Sequence, residues 1–286
     1  MQKFQQLQEL YYRGALKKGT PEWREYFALK YGIEGEAQAN EYLKRHLPKN
    51  IKLIHNLNLD IAGKTQIDYL ILARHLWWVI EIKNYNGVLK YENQQATLRG
   101  EAFHNDPFAA MRRRMTLVKE LSQQTQRSLN VVGTFISIHP EGEVIWDSQE
   151  AFDIVMRHQL NRYLVQKIQD CNLNQADYVQ ADMDLINQVV NQEFACVDDI
   201  SQETWQALRR GLRCNRCGSF NLEIENRRLT CRDCGESSSK NQAIQIAMDQ
   251  YRALYPSRSK VSVQTLYSFI DCQISRKTLF YALKTV

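Results

Sequence analysis

The chain has 286 residues, 44% of them hydrophobic and 24% charged, the balance of a water-soluble protein with an apolar core and room for more than one domain. No run approaches the roughly 18 apolar residues of a membrane-spanning helix. The opening MQKFQQLQELYYRGAL also lacks the apolar stretch and small-residue cleavage site of a signal peptide, so a cytosolic protein with no membrane partner is expected. The net charge of +5 is uneven: Trp205 to Val286 carry 14 Lys/Arg against six Asp/Glu, which leaves the first 204 residues at −3 and points to a polyanion for the basic tail.

In chain order, residues 1–30 predict a polar helical arm with Leu7, Leu10 and Tyr11 as a weak apolar stripe, suited to packing or capping. Gly32 to Pro48 predict a helix stopped by Pro48, with Glu34 and Glu36 in its first turn, where the helix dipole favours acids. Three strands follow: Ile51 to Ile61, then Gln66 to Ala73 after a turn around Gly63, then Trp77 to Tyr85 after a hairpin at Arg74 and His75. GVLKYE (Gly87 to Glu92) can extend that sheet. Asp106 to Gln124 predict a helix with Asp106 as N-cap and Pro107 at its first position, and Asn130 to Ile138 a central strand.

The expected fold is therefore α/β, a mixed sheet flanked by helices in the order αβββαβ. A less legible stretch over 141–208 shows a short strand near Val144 and helices around 158–170 and 182–194. The domains expected are an arm over 1–30, an α/β domain over 31–140, a helical extension over 141–208, a cysteine module over 209–237 and a helical domain over 240–286. SSSK (Ser237 to Lys240) reads as a linker before the last of these.

The third strand, WWVIEIKNY, carries Glu81 and Lys83 at mid-strand on one face, with Trp78, Ile80 and Ile82 on the other. Such charges are costly to desolvate unless paired, bound to a metal or used in chemistry. If the hairpin turns symmetrically about Arg74 and His75, paired numbers sum to 149. Asp68 then lies opposite Glu81, and Gln66 opposite Lys83 in the same row. Facing carboxylates need a cation between them. Lys83 supplies part of that charge, and Mg²⁺ or Mn²⁺ suits hard oxygen ligands. A salt bridge on a solvated sheet face is the plainer alternative.

Gly32-x-x-Gly35-Glu36 on a helix, QID on one strand, and EIKN on the next followed by Gly87-Val88 together resemble the nuclease-related domain family. That family is itself similar to the PD-(D/E)xK nucleases, with a restriction-endonuclease-like core. The likeness covers roughly Gly32 to Ile138; the usual Pro before the first Asp is absent, since Ile67 precedes Asp68. The resemblance implies metal-dependent phosphodiester hydrolysis. Asp68, Glu81 and the backbone carbonyl of Ile82 would hold Mg²⁺ or Mn²⁺, and Lys83 would orient or deprotonate the attacking water and stabilise phosphate charge. Glu36 would position Lys83 or a second metal, and Gln66 would bind substrate or water. Arg112 and Arg113 are candidates for tracking a nucleic-acid backbone, although three adjacent arginines (Arg112 to Arg114) cannot share one helix face. His55, His75, His104 and His139 have no ligand spacing and read as structural or surface residues.

Cys214/Cys217 and Cys231/Cys234 form two CxxC pairs, each ending in a glycine (Gly218, Gly235). Four thiolates at this spacing predict a zinc ribbon with a closed structural Zn²⁺, strands at LEIEN and RRLTC, and basic decoration including Arg227 and Arg228. Cys171, Cys196 and Cys272 are scattered. The final SVQTLYSFIDCQISRKTLFYALK resembles a helix-turn-helix, with Ser262 and Ser275 as N-caps. Val263, Leu266, Tyr267 and Ile270 form one apolar face and Leu279, Phe280 and Leu283 the next, while Arg276, Lys277 and Lys284 are placed to meet a backbone. The expected partner is nucleic acid, DNA before RNA; the sequence carries no signal for oligomeric state. A non-catalytic binding or adaptor protein on a nuclease-like scaffold is the alternative function.

Overall fold

The hairpin at Arg74 and His75 adopts the expected register: Ala73 pairs with Leu76, Leu72 with Trp77, Leu70 with Val79 and Tyr69 with Ile80. The structure is a computed structural model that describes residues 2–60, 63–103, 106–190, 197–258 and 260–284. Ile61, His104, Cys196 and the end of the helix expected over 182–194 lie outside the described residues.

The chain opens with helices α1 (Gln2–Tyr12) and α2 (Pro21–His46). Strands β1 (Lys52–Asp60), β2 (Lys64–Ala73), β3 (Leu76–Lys83), β4 (Gly87–Glu92), β5 (Gln95–Leu98) and β6 (Glu101–Ala102) come next. Helix α3 (Pro107–Gln123), strands β7 (Asn130–Ser137), β8 (Gly142–Trp146) and β9 (Asp153–Met156), and helices α4 (Leu160–Asp170), α5 (Gln180–Val189) and α6 (Gln202–Ala207) follow. The tail holds β10 (Leu222–Ile224), β11 (Arg228–Cys231), β12 (Ser237–Ser239), α7 (Lys240–Leu254), α8 (Val263–Phe269) and α9 (Arg276–Lys284). The chain divides into two compact units, Tyr31–Phe194 and Met1–Lys30 with Ala195–Val286.

In the first unit a five-stranded mixed sheet runs β1-β2-β3-β7-β9, antiparallel from β1 to β3 and parallel from β3 to β9. Both of its faces are buried. Leu70, Leu72, Trp77, Val79 and Phe135 meet α3 through Phe108, Met111, Met115 and Val118. Ile71, Trp78, Ile80 and Ile136 form the opposite core with Ala39 and Leu43 of α2 and Leu160 and Leu164 of α4. Asp106 caps α3, its carboxylate accepting from the N–H groups of Phe108 and Ala109, with Pro107 opening the helix.

Between α2 and β9 three expectations change. Glu34 and Glu36 are not in a first turn, because α2 begins at Pro21, where Thr20 Oγ1 accepts from the N–H of Trp23 at 3.3 Å. A Thr-Pro start signal outweighs the two interior glycines, and the helix runs through them. GVLKYE does not extend the main sheet: after Gly87, at φ +92°, β4 enters a second sheet of order β6-β5-β4-β8. Strand β9 is new, four residues paired with β7 and too short to show an alternation.

Helix α2 reaches the sheet through Gly35. A Cβ there would stand 2.6 Å from Asn84 Cβ and 3.1 Å from Ile138 Cγ2, whereas one on Gly32 would meet nothing within 4 Å. Asn84 Nδ2 donates to the carbonyl of Tyr31 at 2.8 Å, fastening the end of β3 to the same helix.

In the other unit α1 is part of the core: Leu7 and Leu10 bury with Ile244, Met248, Tyr251 and Phe269. Arg13, just past α1, is buried and donates to Glu9, Gln250 and the carbonyls of Arg209 and Gly211, with its guanidinium 4.0 Å from the Phe269 ring centroid. Burial, reinforced by Arg213, lowers its pKa to about 10, against the raising pull of Glu9. SSSK is not a linker. Ser237–Ser239 form β12, the third strand of the cysteine module, and Ser239 caps α7. Ser262 Oγ accepts from Thr265 N–H and Ser275 Oγ from Thr278 N–H, the expected caps. Phe280 does not join the apolar face with Leu279; it is 45% exposed.

The two glycines of α2 make a paired test. Gly35→Ala is expected to destabilise by about 1–3 kcal/mol through overpacking. Gly32→Ala is expected to stabilise by up to about 1 kcal/mol through helix propensity. Urea unfolding of both variants checks the opposite signs.

Candidate metal and phosphate site at the end of strand β3

Asp68 sits at a break in strand alternation. Ile67 and Leu70 face one core while Tyr69 faces the other, so the row changes phase at Asp68. The β1–β2 register passes over Asn56 and Asp68, and Asn56 is left-handed at φ 56°. The last β2–β3 rung is Tyr69 with Ile80. Beyond it the Asp68 carboxylate replaces the ladder and accepts the N–H of Ile82 at 2.8 Å. Such local disruptions re-aim side chains at sites. Here the break turns Gln66 away: it does not face Lys83 but is exposed, donating to Asn56 Oδ1 at 2.6 Å.

Glu81 has 0% exposure and Asp68 7%, so the solvated sheet face is excluded. Lys83 Nζ lies 2.6 Å from Glu81 Oε1, and Arg114 Nε lies 3.3 Å from Oε2. At 2.6 Å the Lys83 ammonium is hydrogen-bonded to Oε1, while Oε2, facing Arg114, has no well-aligned donor. Burial and the neighbouring Glu81 push the Asp68 carboxyl up to about 7, a rise that Lys83 and the Ile82 N–H oppose. Burial alone would lower the Lys83 pKa, but Glu81, Tyr85 and Asp68 outweigh it, and the ammonium form is favoured.

Glu36 meets His55 Nε2 at 3.0 Å, and the His55 ring stacks on Tyr69 at 4.6 Å. Tyr69 in turn donates to the Glu36 carbonyl at 2.9 Å. Glu36 thus borders the site and adds to the charge that disfavours ionised Asp68. It does not complete a three-carboxylate cluster: among the described residues only four cysteines bring three or more such ligands together. Two buried carboxylates, one with an oxygen that lacks a well-aligned donor, fit a hard divalent cation of the Mg²⁺ or Mn²⁺ type.

Two members of the site were missed in the sequence. Arg114 also donates to the Gln66 carbonyl at 2.5 Å. Its signal was its place in the spacing Met111, Arg114, Val118, Leu121, an arginine in the buried stripe of α3. Burial raises the pKa of the Tyr85 phenol, and it feels Lys83, Glu81, Asp68 and Arg114 together. Arg112 is committed elsewhere, 2.8 Å from Glu150 Oε1 and 2.8 Å from Tyr91 Oη. Arg113 is exposed, with Nη2 3.4 Å from the Lys64 carbonyl.

The Sγ atoms of Cys214, Cys217, Cys231 and Cys234 all lie within 4.8 Å of one another, with 3.6 Å between Cys214 and Cys234 and between Cys217 and Cys231. A tetrahedral ion at about 2.3 Å from each sulfur requires separations of about 3.8 Å, so the set fits one ion. Gly218 and Gly235 have φ of +77° and +73° and donate to the carbonyls of Cys214 and Cys231. Arg227 and Arg228 are exposed beside β11. Arg276, Lys277 and Lys284 are exposed on α9, with Arg276 over the Tyr267 ring and Lys284 over that of Phe280.

The fold and site together define a nuclease-like α/β domain: a mixed sheet between helices with paired carboxylates and a lysine at one strand end. Residues 31–139 match the family model described as Nuclease-related domain, so the resemblance holds for that segment. A 74-residue stretch is 31% identical to an uncharacterized protein of Bacillus anthracis, covering 25% of this chain and 32% of that protein, so the chain spans about a third of the relative's length. No solved structure matches the chain. No helix among the described residues is long and apolar enough to cross a membrane.

Because the Asp68 pKa of about 7 stands above its unfolded value, the folded state holds a proton that the unfolded state releases. Its stabilisation is full below about pH 4 and lost as pH rises through about 7. In EDTA, Asp68→Asn is therefore expected to exceed wild type in stability at pH 8, by on the order of 2 kcal/mol, with the difference shrinking towards pH 4.5. Urea midpoints at the two pH values check this.

Proposed function

We propose that the protein is a metal-dependent nuclease acting on DNA, and the carrying observation is the fully buried Glu81 carboxylate beside Asp68 and Lys83. Asp68, Glu81 and the Ile82 carbonyl hold Mg²⁺ or Mn²⁺. When bound, such an ion polarises the phosphodiester and makes a bound water acidic enough to attack. The Lys83 ammonium, favoured in this arrangement by Glu81, Tyr85 and Asp68, donates to the water or the phosphate. The Arg114 guanidinium adds a second positive group where phosphate charge grows. With Asp68 ionised and no metal, Asp68⁻, Glu81⁻, Lys83⁺ and Arg114⁺ sum to zero. With a divalent ion the site carries +2, which suits a phosphate passing from one towards two negative charges.

The cysteine module holds Zn²⁺ as a structural ion, and the exposed Arg227, Arg228, Arg276, Lys277 and Lys284 supply backbone contacts. DNA is preferred to RNA because α8 and α9 are similar to a helix-turn-helix. A second reading, a non-catalytic binding protein on the same frame, draws on Lys83 and Arg114, which balance both carboxylates without a metal.

Cleavage of plasmid and single-stranded DNA with Mg²⁺, Mn²⁺ or EDTA tests the enzyme. Wild type is expected to cut only with metal, Asp68→Ala and Glu81→Ala to be inactive, and Lys83→Ala and Arg114→Ala to lose about 10²–10³-fold. Binding without cleavage, equal in wild type and variants, would establish the second reading. Metal analysis is expected to find one zinc per chain, released with loss of ribbon structure when Cys231 is changed to Ser.

A further inference from the structure

Beside the carboxylate site lies an open cleft of about 580 Å³ lined by Tyr31, Asn84, Tyr85, Arg99, Phe103 and His139. Tyr85 is its shared wall: it stands two residues beyond Lys83, and its phenol feels the charges of Lys83, Glu81, Asp68 and Arg114. Phe103 meets Tyr85 edge to face, with ring centroids 5.3 Å apart, and the Phe103 N–H donates to the Ala96 carbonyl at 2.9 Å, which fixes that residue beside the second sheet. Arg99 is likewise fixed, with Nε donating to the Asn86 carbonyl at 2.8 Å and its stem against Gly87. The exposed Glu101 stands in the same lining and offsets Arg99.

The cleft therefore offers rings, a guanidinium plane and amides, with little net charge. A groove built for a duplex backbone would instead be strongly cationic. Duplex bases are stacked on one another and show only their edges in grooves, so ring walls cannot reach their faces. An unpaired base presents both faces to aromatic and guanidinium planes. The volume is that of a small-molecule site of roughly 300–1,000 Å³, enough for a nucleotide or two.

We propose that this cleft binds an unpaired nucleotide next to the scissile phosphate, so that the substrate of the site is single-stranded or locally unpaired nucleic acid. The inference rests on the nuclease reading for the phosphate and adds the strand state. A stem–loop with a single-stranded tail, incubated with the full chain and Mg²⁺, is expected to be cut in the loop and tail at least tenfold faster than the stem. Phe103→Leu, which keeps the apolar packing but removes the ring, is expected to slow that cleavage roughly tenfold to a hundredfold, and Phe103→Tyr to restore it. Equal rates on paired and unpaired regions, with Phe103→Leu cutting like wild type, would overturn the proposal while leaving the nuclease intact.

A second arm works without cleavage. Oligonucleotides carrying 5-iodouracil are photocrosslinked to the wild-type chain in EDTA, and the adduct is located by mass spectrometry. Adducts on Tyr85 or Phe103 from single strands, but not from duplex, are expected. If no substrate is cut but these adducts form, the nuclease reading fails and the cleft stands. Adducts confined to residues outside the cleft would sink the cleft.

Discussion

A carboxylate with no exposure to water is the constraint around which the first unit is arranged. Glu81 lies on a strand whose two faces are both covered, and an ionised carboxylate left alone there costs several kcal/mol. Lys83 reaches it from the same strand and Arg114 from the helix packed over that face. Asp68 is close enough that the Glu81 charge raises its cost of ionisation. Lys83 and Arg114 thus offset most of the buried negative charge.

The backbone around this cluster is fitted to it. The phase change at Asp68 releases its side chain from the ladder, and its carboxylate then satisfies the Ile82 N–H that the ladder would have used. Gly35 lets α2 approach Asn84 closely enough to set Glu36, His55 and Tyr69 at the border of the site. Gly87 turns the chain out of the main sheet and so opens the cleft between the end of β3 and the second sheet. These features cost local stability, and the raised Asp68 pKa is one measure of that cost.

The second unit is organised by another buried charge. Arg13 ties α1 to the backbone at Arg209 and Gly211 and to Gln250 of α7, and Arg213 shares its partner Glu9. The N-terminal arm is thus structural core for the unit that also carries the four cysteines and the basic helices. The cysteine module itself has little apolar interior, which is why four thiolates converge on one point.

Patterns that depend on near neighbours were legible in the sequence. The hairpin register, the Asp106-Pro107 start of α3, the CxxC knuckles with their glycines and the serine caps each follow from a few adjacent residues and local sterics. The register sum brought Asp68, Glu81 and Lys83 to one strand end, although the ladder itself stops at Tyr69 and Ile80. What lay beyond the sequence needed a third partner. The alternation break at Asp68, which sends Gln66 to solvent, is imposed by β1 from the other side. Arg114 enters the site because α3 packs on that face of the sheet, a contact 33 residues away from Glu81 in the chain. The departure of β4 into its own sheet and the conversion of SSSK into a strand likewise depend on partners, β8 and β11, that no local preference names. Local sterics act within a few residues, and burial is decided by the whole packed unit. For that reason the charged residues of the third strand stood out in the chain, while their electrostatic setting and the cleft beside them required the fold.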